Sequence, residues 1–352
     1  MTKLDTTLLF YRSENPRCKL KELSSLMEKS PQRLKYTLKQ WEKERLMYSP
    51  FSIIDYSFFG LHLFRVYFKG AYVSEKDKLV LLAMLKEHPY IVSFYELSGE
   101  FDLVVEMEAP NASRFNKELK KLISLSPALS NYKIVVNIVS HLYPRWYLLG
   151  AVSGSVSTGG AVTGSVSTAI SPLLSAMEGI GRDVIVGGDR QLEIFKAEEL
   201  ALLQALHRHP LLRSSSLAKH TSLNIKTVMS LSKKLHKRRI VKGFRYVIDT
   251  NRLGIYKHRL FLKLHNLTAE RETALMEFFT RQPNIVQLNK TVGDWDLELD
   301  LEALDKSVLR SCTAELREKF RDLIQTFNSM EFYQYYLKSF LPQALFEEGK
   351  GK

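Results

Sequence analysis

Between Leu200 and Ile248 the chain contains no Asp or Glu, yet it carries Arg208, Arg213, Lys219, Lys226, Lys233, Lys234, Lys237, Arg238, Arg239, Lys242 and Arg245. Unopposed cations at this density suit phosphate, because each phosphate neutralised releases condensed counterions and raises affinity. Ordinary solvated faces mix both signs. Lys226, Thr227, Ser230 and Lys233 recur on one side of a helical pattern, where they could reach base edges in a major groove. Lys237, Arg238, Lys242 and Arg245, at the helix end and beyond it, suit backbone phosphates. Lys219, Asn224 and Lys234 complete this candidate DNA-binding set. A diluted version precedes it: residues 16–50 hold nine cations against four glutamates, with Arg33, Lys35, Tyr36 and Lys39 as candidate contacts.

Those side chains need a scaffold, and apolar spacing supplies one. Leu200, Leu203 and Leu206 predict a helix ended by Pro210, and residues 216–220 predict a second. Ile225, Val228, Leu231 and Leu235 stripe a third, with Asn224 as its N-cap. Residues 240–249 read as two short extended runs about Gly243. Three helices and a small hairpin predict a winged helix-turn-helix. Leu23, Leu26, Leu34, Leu38 and Trp41 give the same pattern earlier, with Ser30-Pro31 opening its third helix. Pro50 there predicts a shorter or differently shaped wing.

Each such unit is followed by strands and helices in βαββαβ order. The spans are 61–69, 74–87, 90–97, 101–108, 111–124 and 132–140, then 255–263, 268–281, 284–291, 295–302, 304–322 and 328–337. This order predicts a ferredoxin-like plait with two helices on one sheet face. The other face needs cover, so the plait sheets are expected to self-associate, within or between chains.

Shifting the chain by 194 positions places Pro16 on Pro210, Leu23 on Leu217, Asp55 on Asp249 and Gly60 on Gly254. It also places Gly99-Glu-Phe-Asp102-Leu on Gly293-Asp-Trp-Asp296-Leu. The expected class is therefore α+β, as two copies of a winged helix-turn-helix followed by a ferredoxin-like plait. The boundaries are 1–55 and 56–147 for the first copy, 148–190 for a linker, and 191–250 and 251–345 for the second. The second helix-turn-helix is the main expected DNA binder. Two related decapeptides, AVSGSVSTGG and AVTGSVSTAI, fill much of the linker. They are uncharged but poor in large apolar residues, which argues for a flexible linker over a membrane span.

The 352 residues carry 51 Lys plus Arg against 38 Asp plus Glu, a net charge of +13, and 45% apolar residues. Wholesale disorder is excluded by that apolar content. Cys18 and Cys312 are the only cysteines, so a disulfide framework and a cysteine zinc finger are excluded. Without a signal-like leader, a cytoplasmic location is expected. No HExxH, P-loop, GxGxxG or Ser/His/Asp order occurs, and no metal or cofactor is expected.

Leu217-Ala-Lys-His-Thr-Ser-Leu-Asn-Ile-Lys-Thr-Val-Met-Ser-Leu-Ser-Lys-Lys-Leu235, the wing Ile240-Val-Lys-Gly-Phe244 and the two Gly-x-x-Asp turns together resemble the Lrp/AsnC family of transcription regulators. Glu28, Ser222, Arg45 and Arg239 stand where that family usually has Gly. The resemblance implies a helix-in-groove DNA-binding regulator, with no enzyme activity. It implies a small-molecule effector such as an amino acid near Gly99, Asp102, Gly293 and Asp296, although the same residues suit a capped tight turn. An architectural DNA binder of low specificity is the first alternative. Siroheme decarboxylases share the domain order and are the second, for which His88, His141, Tyr143 and Arg145 are candidate acid–base or tetrapyrrole-binding groups.

Overall fold

The computed structural model describes residues 4–72, 74–149 and 183–348. Most of the linker expected at 148–190, both decapeptides included, lies outside the described residues.

Three helices open the chain: α1 (Thr6–Glu14), α2 (Leu20–Met27) and α3 (Pro31–Lys43), followed by strand β1 (Met47–Ile54). Ser30 caps α3 by accepting from the Arg33 amide, and Pro31 sits in its first turn, where a missing N–H costs nothing. Next come β2 (His62–Phe68), α4 (Glu75–Glu87), β3 (Ile91–Ser98), β4 (Leu103–Ala109), α5 (Ala112–Ile123) and β5 (Tyr132–Leu142). A short strand, β6 (Val184–Gly187), pairs with β5, so the described end of the expected linker is not free chain. The second half then runs through α6 (Ala197–Arg208), α7 (Ser214–Thr221), α8 (Ile225–Lys237), β7 (Val241–Ile248), β8 (Tyr256–Leu264), α9 (Ala269–Arg281), β9 (Ile285–Val292), β10 (Leu297–Ala303), α10 (Lys306–Lys319) and β11 (Ile324–Lys338). A last short helix, α11 (Ala344–Glu348), follows. The protein is a mixed α+β molecule built on one large antiparallel sheet.

Glu28, Arg45, Ser222 and Arg239 all adopt left-handed backbone, with φ between 51° and 57°. Glu28 and Ser222 close α2 and α7; Arg45 and Arg239 follow α3 and α8. The turns are kept although no glycine relieves the Cβ clash, at roughly 1–2 kcal/mol per position.

The wings depart from expectation. No hairpin forms about Gly243; β7 is one continuous strand that pairs antiparallel with β1, Ile53 opposite Gly243 and Met47 opposite Ile248. The two wings thus complete each other as a two-stranded ribbon. Its ladder breaks between Tyr48 and Phe51. Pro50 has no amide to donate and Ser49 has φ 43°, so an irregularity is the natural outcome there.

The large sheet closes on itself. β2 pairs with β4, then β3, β11, β8, β10, β9 and β5 follow in turn, and β5 returns to β2. The two longest strands make this possible. β11 pairs with β8 through its first half and with β3 through its second; β5 does the same with β2 and β9. The sheet faces expected to need cover therefore cover each other within the chain. Strand side chains alternate sides. Outward, Phe64, Val66, Leu103 and Val105 pack under α4 and α5, and Leu260, Leu262, Leu297 and Leu299 pack under α9 and α10. Inward, one end of the ring is filled by Tyr67, Phe101, Phe261, Trp295 and Phe332. Burying each of these large side chains contributes about 1.5–3 kcal/mol. The other end is filled by charge.

Candidate functional site

The inward-facing positions of β4 and β10 include Glu106, Glu108, Glu298, Asp300 and Glu302, all 0–2% exposed. Carboxylates so placed need partners, and most have them. Arg65 on β2 donates Nε to Glu106 (2.7 Å) and Nη1 to Glu298 (2.8 Å) and Asn137 (2.8 Å), joining the two halves of the ring. Arg259 on β8 holds Asp300 through Nε (2.6 Å) and Nη2 (3.0 Å), and reaches the Tyr95 hydroxyl. Glu298 also accepts from Tyr67, Trp295 and Asn289. Burial pushes the Glu106 carboxyl up, but Lys338 and Arg65 outweigh it and hold it well below the carboxylate range.

This charge column opens into a cleft between the β1–β7 ribbon and the mouth of the ring, with an empty volume of about 710 Å³. Four cations border it: Arg145 beyond β5, Arg245 on β7, Lys257 on β8 and Lys338 on β11. Arg145 bonds Glu14 of α1 (2.9 Å) and Glu302 (2.9 Å), and Arg245 reaches the other Glu14 oxygen (2.7 Å). Lys257 lies 3.1 Å from Glu302, and Lys338 lies 3.2 Å from Glu106. Burial raises Glu302 but Arg145 and Lys257 pull it down to about 2, so it is ionised. The walls are aromatic. Tyr48 donates to the Tyr335 carbonyl (3.0 Å), Phe51 stacks on Phe340, and the Lys257 ammonium lies 4.4 Å from the Phe332 ring centroid. Such a lining offers ring faces to apolar or aromatic groups and cations to anionic ones.

The sequence-based candidates fall in several places. Lys219, Asn224, Lys226, Ser230, Lys233, Lys234 and Lys237 are exposed on or beside α8, and Thr227 is half-buried there. Asn224 caps α8 by accepting from the Lys226 amide. Lys234 lies 3.3 Å from Glu199. Three residues expected on phosphates are engaged inside the protein: Arg238 with Glu193 and Glu199, Lys242 with Asp55 (2.6 Å), and the buried Arg245 with Glu14. Their acids sit outside the acid-free run. Arg33, Lys35 and Lys39 are exposed on α3.

Both Gly-x-x-Asp turns meet the opposite half of the ring. Gly99 has φ 147° and faces Met330, while Gly293 has φ 153° and faces Val135. Asp102 accepts from the Gly70 amide, and Asp296 from the Leu264 amide (2.7 Å) and Lys263 (2.9 Å). Among the four tetrapyrrole candidates, Arg145 borders the cleft. His88 lies beside Glu118, His141 stacks on Tyr143, and Tyr143 is buried in the core beneath α9 and α10. Sequence reasoning missed Glu14, Lys257, Glu302 and Lys338. The usable signal was asymmetry at the 194 offset, where Lys257 stands opposite Leu63 and Arg145 opposite Ser339.

No protein-family model and no curated protein matches this sequence. Among solved structures, the siroheme decarboxylase NirDL aligns with 98% of this chain and 98% of its own, at TM-score 0.54 and 9% identity. The fold resembles that enzyme's from end to end. The same protein in complex with an iron-uroporphyrin III analogue aligns at TM-score 0.53 and 10% identity, covering 98% of this chain and 97% of that one. An AsnC family transcriptional regulator from Agrobacterium tumefaciens covers 41% of this chain and 91% of its own, at TM-score 0.34 and 14% identity. The expectation of a non-enzymatic protein is corrected by the full-length likeness: the architecture that spans this whole chain is one found in an enzyme. Among the described residues, no helix is long and apolar enough to cross a membrane.

Proposed function

We propose that the chain is a decarboxylase acting on a tetrapyrrole polycarboxylate, bound in the cleft between the wing ribbon and the ring mouth. The observation that carries this is the convergence of Arg145, Arg245, Lys257 and Lys338 on one aromatic-walled cleft. The full-length likeness to a siroheme decarboxylase supports it at the level of fold. In this reading the carboxylates that stay bind at this cationic rim by sharing or displacing the pairs that Arg145, Arg245, Lys257 and Lys338 make with Glu14, Glu302 and Glu106 in the unliganded protein. A carboxylate pressed against Phe51, Phe332 or Phe340 loses hydration, which favours the charge-dispersed transition state over the localised anion. The C–C bond breaks, its electron pair remains on the substrate carbon, carbon dioxide leaves, and one proton completes the product.

We further propose that the chain is two fused modules of one ancestral type, because the coincidences at an offset of 194 extend through both element series. The proposed compartment is the reducing cytoplasm, in keeping with Cys18 and Cys312, which are free and buried. The test of function is incubation with siroheme, following the Soret band for binding and released carbon dioxide for turnover. Saturable binding with carbon dioxide release is expected; absence of both refutes the reading.

A second reading, DNA binding by α8, is favoured by the exposed Lys226, Lys233, Lys234 and Lys237 on that helix, with Lys219 on the neighbouring α7. Reversing Lys233 and Lys237 to Glu should weaken duplex binding in a gel shift more than reversing Arg33 and Lys39. Equal losses, or no binding at low salt, count against it.

A further inference from the structure

A second, much smaller pocket adjoins the cleft and shares Gln287, Lys338 and Phe340 with it. Six of its eight remaining lining residues correspond, at the 194 offset, to residues of the cleft: Tyr56 to Thr250, Leu63 to Lys257, Val92 to Val286, Glu108 to Glu302, Ser140 to Gln334 and Ser339 to Arg145; Arg65 and Glu106 do not. The two sites share a plan and differ in charge. Glu302 is surrounded by Arg145, Tyr147 and Lys257. The equivalent positions hold Ser339, Leu341 and Leu63, of which Ser339 and Leu63 line the pocket with Glu108. Its Oε2 is buried without a hydrogen-bond partner among the described residues.

We propose that Glu108 is a buried neutral carboxylic acid that stores the proton for chemistry in the adjoining cleft. This rests on the decarboxylase reading for its purpose and on the second cavity for its existence. The titratable and charged groups around it are Glu106 on its own strand, Arg65 on β2, Asp55 and Tyr56 after β1, and Lys338 on β11. Arg65 is committed to Glu106 and Glu298, and Lys338 to Glu106. Burial is the largest influence on Glu108, repulsion from Glu106 and Asp55 adds to it, and only the Lys338 attraction opposes them. Its carboxyl is held well above the usual carboxylate range. Two carboxylates on one structural plan, one ionised and one neutral, is the arrangement that separates an anchoring role from a proton-donating one.

The step balances. As the substrate carboxylate leaves as carbon dioxide, the electron pair left on carbon takes the Glu108 proton and a C–H bond forms. Glu108 becomes a carboxylate near Lys338 and is reprotonated from water entering by the cleft.

Infrared spectroscopy of the full chain at neutral pH tests this without substrate. The wild type should show the carbonyl stretch of a protonated carboxyl, lost in Glu108→Gln. It should also be lost in Leu63→Lys, which restores beside Glu108 the cation that Glu302 has at position 257. With siroheme as probe, Glu108→Gln should keep the Soret shift of binding while carbon dioxide release falls about 10²–10⁴-fold. An absent band in the wild type, a band that survives Glu108→Gln, or turnover unchanged in that variant overturns the proposal. A wild type with the band but no siroheme turnover instead overturns the decarboxylase reading, since the band is measured with no substrate present.

Discussion

Replacing Arg65 by Met tests how the ring holds its charge. Met keeps much of the unbranched stem and removes the guanidinium. The three bonds to Glu106, Glu298 and Asn137, all at 2.7–2.8 Å, are then lost together. Arg65 is 1% exposed, so water does not replace them. Breaking a buried ion pair by deleting one partner costs about 3–5 kcal/mol, because the remaining charge stays buried. The residual partners moderate this: Glu106 keeps Lys338, and Glu298 keeps Tyr67, Trp295 and Asn289. A loss of about 3 kcal/mol, the lower end, is therefore expected in urea unfolding, with the midpoint falling at unchanged slope. The loss should depend on pH. Glu106 is depressed in the folded state, so its contribution is present above its unfolded value near 4.5 and vanishes as pH falls through the lower folded value. The gap between wild type and variant should narrow in acid. A loss below about 1 kcal/mol, or a gap independent of pH, would refute the view that Arg65 neutralises the column.

His207 is held down to about 4 by burial, with Arg208 adding to it. Its unfolded form takes up a proton below 6.5 while the folded form does not, so stability should drop as pH falls from 6.5 towards 4. His207→Gln should flatten that slope in urea midpoints measured across the range. Ser222→Gly relieves a side chain at φ 56° and should raise stability by about 1 kcal/mol, read from the same midpoints. Gly187→Ala should do the reverse, by roughly 2 kcal/mol or more, since its Cβ would lie 2.6 Å from the Tyr56 hydroxyl and 2.8 Å from the Ile138 carbonyl. Lys257→Met should weaken siroheme binding about tenfold in a Soret titration and leave the far-ultraviolet circular dichroism unchanged.

Local rules recovered most elements. Asn224 and Ser30-Pro31 marked the starts of α8 and α3 because capping is a contact between near neighbours. Period-two and helical stripes located the strands and helices of the sheet to within a few residues. What failed was long-range. Nothing near Gly243 tells β7 that its partner is β1, so the local pattern predicts a hairpin. Arg245 looked free because its counter-charge, Glu14, lies in another helix at the start of the chain. The motif Leu-Glu-Leu-Asp-Leu-Glu at 297–302 reads as a strand with one wet face. Only ring closure makes that face an interior, and with it Glu302, Lys257 and the cleft.

The strand ring is completed by a single polypeptide, with consequences for how its two pockets could diverge. A ring made by two identical chains would repeat every substitution twice, so equivalent pockets would remain alike. Here positions 145 and 339, or 257 and 63, lie in one chain and can change independently. One pocket carries a cationic rim while the other keeps a buried acid with an unpartnered oxygen. Covalent continuity also frees that unequal pair from mass action: dilution does not take the halves apart, and dissociation is lost as a means of control.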